Sequence, residues 1–119
     1  TFRRNGKSIS IKSVPVEHGK IISQSFIINK SCAYVSDANK IFNNDLKFFK
    51  NLKFLVIDCL RFNKHPSHFS LDEVIKLNEL LKPKKTILTN MNNEMDYNYL
   101  CKILPKTIVP GYDKMSFYI

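Results

Sequence analysis

Three histidines and one aspartate stand out among the polar residues of this chain because each lies at the end of an apolar run. His18 lies in the segment PVEHG, between the alternating runs ISIKSV and IISQSFII. Asp37 follows Ala33-Tyr34-Val35, and His65 and His68 follow FLVID. Asn90, Asn92 and Asn93 follow TILT. Imidazole and carboxylate together are a ligand set for divalent ions such as Zn or Mn, and also suit phosphate chemistry. Singly, each residue has an ordinary alternative: a solvated turn histidine, an aspartate in a turn, or a loop opening a helix. Only their convergence would make a site, so the elements that carry them decide the matter.

Those elements read as follows. Residues 8–16 alternate apolar and polar, the period of a half-buried strand; 21–29 and 32–36 read as two more strands. NDLKFFKNLK (44–53) is expected to form a short helix presenting Leu46, Phe49 and Leu52. FLVID (54–58) is a continuous apolar run, suited to a strand buried on both faces. Ser70-Leu71-Asp72-Glu73 is a capping box that opens a helix with Leu71, Val74, Ile75, Leu80 and Leu81 on one face, stopped at Pro83. TILT (86–89) is a further buried strand, 96–104 a short helix, and IVP and MSFYI two closing strands. The expected fold class is α/β (α+β), one mixed sheet with helices on one face, over a single unit of residues 1–119. In such sheets ligands bind beyond the carboxyl ends of the strands, where His18, Asp37, His68 and Asn90 all fall.

Composition limits the possibilities. The chain has 119 residues, 44% of them hydrophobic, enough for one modest core and too apolar for disorder. No apolar run approaches the ~18 residues of a membrane span, and no signal-peptide pattern opens the chain. Cys32, Cys59 and Cys101 include no CxxC pair, which favours reduced thiols and a cytoplasmic setting; Cys59, in a buried strand, is expected to be inert. Thr1 in place of methionine reads as a chain whose beginning is missing. The formal net charge is +9, supplied almost wholly by dispersed lysines. Lys, Asn and Ile abound together, as in AT-rich coding sequence, so a nucleic-acid function is a secondary reading.

The segments PVEHG, AYVSDA, LVIDCLR, HPSHFSLDE and KPKKTILT, with a YD near the end, resemble in order the carboxyl-terminal half of metallo-β-lactamase-fold hydrolases, and within them the phosphoribosyl cyclic phosphodiesterase branch. That resemblance implies half of an αββα sandwich, with two metals in the complete enzymes, Zn or Mn, and hydrolysis of phosphodiesters. It implies His18 as a metal ligand, Asp37 as the aspartate bridging the metals, and His68 as a substrate-facing catalytic proton donor. The sequence also departs from the family. HxHxDH, carried by the family's amino-terminal half, is absent from these residues; LTHMxH is replaced by Leu88-Thr89-Asn90-Met91-Asn92-Asn93, making Asn90 a degenerate ligand position; and Lys114 occupies the glycine of AYDGM. The expectation is a fragment with weak or absent metal binding and no hydrolysis of its own. The alternatives are a subunit completing a split hydrolase with a separate amino-terminal half, or a basic phosphate- or nucleic-acid-binding module. Half a sandwich exposes an apolar sheet face, so a homodimer packing sheet on sheet is expected, and no membrane association.

Overall fold

A computed structural model describes residues 1–119. Asn5-Gly6, with both φ angles positive, closes a small exposed hairpin of β1 (Phe2–Arg4) and β2 (Lys7–Ile9). This is the two-residue turn that Asn-Gly favours. It displaces the first core strand from the expected 8–16 to β3 (Ile11–His18), which pairs antiparallel with β4 (Ile21–Ile28). Next come β5 (Cys32–Val35) and the two-residue β6 (Lys40–Ile41), which pairs back onto β3. The segment expected as a helix over 44–53 is a 3-10 helix, Asn43–Phe49, with no side-chain cap, and it still delivers Phe49 and Leu52 to the core. Then follow β7 (Phe54–Asp58), α1 (Leu71–Leu81), β8 (Lys85–Thr89), α2 (Tyr97–Ile103) and β9 (Ile108–Pro110).

The seven-stranded sheet has the order β6-β3-β4-β5-β7-β8-β9. Strands β5, β7, β8 and β9 are mutually parallel, and β3, antiparallel to β4 as β4 is to β5, runs in the same direction. Five strands therefore bring their carboxyl ends to one edge.

One face of the sheet is the core: Val14, Ile27, Ala33, Val35, Leu55, Ile57 and Leu88 pack with Phe49, Val74, Leu81 and Leu100. In α1 both the backbone N–H and the hydroxyl of Ser70 donate to Glu73 Oε1, closing the expected capping box. Leu71, Val74 and Leu81 are buried as their spacing requires, but Leu80 is 51% exposed and lies off the core face. Lys82, in the left-handed region, ends the helix before Pro83. The register aligns Phe26, Tyr34, Val56, Ile87 and Val109 on the opposite face. There Phe26 and Tyr34 are each 42% exposed. The terminal MSFYI is not a strand; it folds over this face, with the Phe117 ring 4.3 Å from that of Phe54. Its alternation serves an aromatic contact rather than a ladder.

Candidate metal and phosphate site

His18 is the last residue of β3, and the turn that follows is Gly19-Lys20. Gly19 has φ +61°, and a Cβ there would stand 3.1 Å from the Ser67 Cβ, so glycine lets this turn lie against the loop preceding α1 without backbone strain or displacement of Ser67. The turn is also fastened from a second side. Asn39 Oδ1 accepts from the Gly19 N–H at 2.7 Å, and Asn39 Nδ2 donates to Glu17 at 2.6 Å. Glu17 and Gly19, on either side of His18, thus hold it in place against two neighbouring loops.

Asp37 follows β5 and Asn90 follows β8; both have positive φ, 50° and 58°. Two non-glycine residues in the left-handed region side by side is the kind of stored strain that clusters at functional sites. Ligand atoms of His18, Asp37 and His68 lie within 4.8 Å of one another. Three segments far apart in sequence thus converge as their strand-end positions require.

The hydrogen bonds fix which nitrogen each histidine offers. Nδ1 of His18 lies 2.7 Å from the Ser67 carbonyl oxygen, which only accepts, so that nitrogen carries the proton. Nδ1 of His68 donates likewise to Asp58 Oδ2 at 2.5 Å. In neutral imidazoles, both Nε2 atoms are then free lone pairs, the arrangement that metal-binding histidines adopt. Two imidazoles and a carboxylate fit one divalent ion.

Asp58 is the residue that sequence reasoning missed. It ends the apolar run of β7 and is fully buried. The same oxygen that binds His68 accepts the Ala38 N–H at 3.0 Å, one residue beyond Asp37. One carboxylate thereby anchors both the histidine and the aspartate loop. Its Oδ1 has no partner, and burial pushes its pKa up against the lowering effect of the His68 and Ala38 hydrogen bonds. The signal for it was available: an aspartate closing a strand whose neighbours end in the site.

The remaining candidates do other work. Asn90 Nδ2 donates to Ser36 Oγ at 3.2 Å and reaches Asp37 Oδ1 at 3.4 Å, so it supports the aspartate by hydrogen bonding instead of offering an imidazole. His65 lies outside the cluster; its Nδ1 accepts the Ser67 N–H, and desolvation followed by the Arg61 cation keeps its pKa low. Asn92 Oδ1 caps the Glu94 N–H. Lys114 has φ +66° and bears the strain that a glycine there would avoid. Cys59 is buried, with its thiol pushed up to about 12 by burial, an inert core residue as expected.

No family model matches the sequence, and no curated protein matches it. Solved structures do. A new diphosphatase from the PhnP family is 27% identical with a TM-score of 0.89, over 93% of this chain and 44% of that one. Human tRNase Z, short form, is 14% identical with a TM-score of 0.71, over 96% of this chain and 42% of that one. The metallo-β-lactamase fold protein YhfI from Bacillus subtilis is 14% identical with a TM-score of 0.69, over 86% and 46%. The chain thus spans less than half the length of each of these three, and with the two at 14% identity it shares the fold alone. No helix is long and apolar enough to cross a membrane. By its strand order and its match to these structures, the chain is roughly half of a metallo-β-lactamase fold and is similar to the hydrolases built on it.

Proposed function

We propose that this part of the fold holds one divalent cation, Zn or Mn, on His18 and Asp37, with His68 facing the phosphate of a bound phosphoester. The observation that carries this reading is the pair of histidines whose Nδ1 protons are both committed to acceptors, beside Asp37 within ligand distance. A cation there would polarise a phosphoryl oxygen. His68 has two states with different uses. Neutral, its Nε2 is a third donor to the cation; protonated, the imidazolium paired with Asp58 offers an Nε2 proton to a phosphate oxygen.

These residues by themselves are proposed not to hydrolyse phosphodiesters. HxHxDH does not occur in them, and Asn90 gives Asp37 an amide where the family has an imidazole ligand. Affinity for the cation is accordingly weak. A polypeptide layer bearing HxHxDH and packed on the open sheet face would supply more ligands, though the Asn90 position would still lack one. Where no such layer is present, a second copy of this chain covers the face, as the exposed Ile11, Phe26 and Tyr34 favour.

The test is turnover of bis(p-nitrophenyl) phosphate with excess Mn2+ or Zn2+. The expected rate is that of the free ion. Turnover above it that His68→Ala abolishes would overturn the proposal of inactivity and leave the site assignment standing.

A further inference from the structure

A second feature lies at the other end of the sheet. Lys12, Lys30, Lys47 and Lys50 surround a groove of about 670 Å3 whose floor includes Ile27, Phe48 and Leu52. Lys12 is six residues before His18 on the same strand, about 20 Å away at the ordinary strand rise, so the groove is separate from the histidine cluster. No carboxylate lines it. The sole ion pair in the molecule is Asp58 with His68, so all four ammonium groups are unneutralised. Two of them are nonetheless drawn together over one ring: the Lys12 and Lys47 nitrogens stand 4.2 and 5.3 Å from the Phe48 centroid. Like charges gathered without a counter-ion repel one another, and an anion entering the groove relieves that repulsion. The floor selects among anions, since inorganic phosphate gains nothing from apolar surface whereas a nucleobase does.

We propose that this groove binds single-stranded nucleic acid, with backbone phosphates on the four lysines and a base on the apolar floor. Cationic grooves with an aromatic in the floor bind single strands in this way, with little sequence preference. The proposal is independent of the metal site, and residues 1–119 need no catalysis to satisfy it.

The test is fluorescence anisotropy with labelled oligo(dT) of ten nucleotides over a series of salt concentrations. Binding on the order of 10 µM is expected at low salt, with log affinity falling against log salt at a slope of about −3 for four phosphate contacts. Lys30→Ala/Lys50→Ala should lower the slope by about 1.4, whereas Lys102→Ala/Lys106→Ala, exposed beside β9 at the opposite edge of the sheet, should leave it unchanged. Phe48→Leu should weaken binding roughly fivefold without changing the slope. Equal slope losses from both lysine pairs would assign the attraction to net charge alone and overturn the proposal. So would tripolyphosphate competing as well as unlabelled oligo(dT) per phosphate, because the floor would then contribute nothing.

Discussion

Asp58→Asn separates charge from shape at the point on which the site rests. An asparagine oxygen in place of Oδ2 can still accept from both His68 Nδ1 and the Ala38 N–H, so the contacts survive while the negative charge goes. Hydrogen bonds to a charged acceptor contribute about 1.5–3 kcal/mol and neutral ones about 0.5–1.5, so the bond orienting His68 weakens by about 1–1.5 kcal/mol. That is close to a tenfold loss of cation affinity, at the lower end of the roughly 10–100-fold cost of losing such supporting partners. Stability should move little. The variant relieves a buried carboxylate of its desolvation but leaves an amide where Oδ1 already lacked a partner. A midpoint within about 5 °C of wild type is expected. The pH dependence supplies a second readout. Because burial raises the folded pKa of Asp58, its contribution to stability is full below the unfolded carboxylate value and is lost as pH rises through the folded one; Asp58→Asn removes that slope. Mn2+ titration by calorimetry alongside thermal melts at several pH values makes the comparison. A folded variant that binds Mn2+ within twofold of wild type would refute the role given to Asp58.

Gly19→Ala forces a Cβ to within 3.1 Å of the Ser67 Cβ at a left-handed backbone position, and should cost about 1–3 kcal/mol in denaturant unfolding. Because Ser67 also holds His18, cation affinity should fall in the same variant. Iodoacetamide at pH 8 should label Cys101, which is exposed, while buried Cys32 and Cys59 react only after denaturation; mass spectrometry counts the adducts. Light scattering at micromolar concentration should give twice the chain mass, and Phe26→Lys, on the open sheet face, should return it to the monomer.

The sequence made the rim legible because its chemistry sits where periodicity breaks: His18, Asp37 and His68 each follow a strand whose alternation or apolar run is unmistakable. It also carried the capping box of α1, whose Ser70-Glu73 bonds form as drawn. Asp58 was hidden because FLVID reads as one apolar run, and the aspartate's significance appears only when His68 and Ala38 arrive from elsewhere in the chain. The N-terminal hairpin was written in Asn5-Gly6, a local signal overlooked beside the alternation that follows it. MSFYI and Leu80 failed differently. Both satisfy a pattern, but what Phe117 packs on and what covers Leu80 depend on tertiary placement that period alone does not encode.

Calorimetric titration of the wild-type chain with Mn2+ and Zn2+, repeated on His18→Ala and Asp37→Ala, reads the central claim directly. One ion per chain with micromolar or weaker affinity, lost in both variants, is the expected result. No binding at all, binding indifferent to His18 and Asp37, or two ions held below micromolar concentration would contradict it.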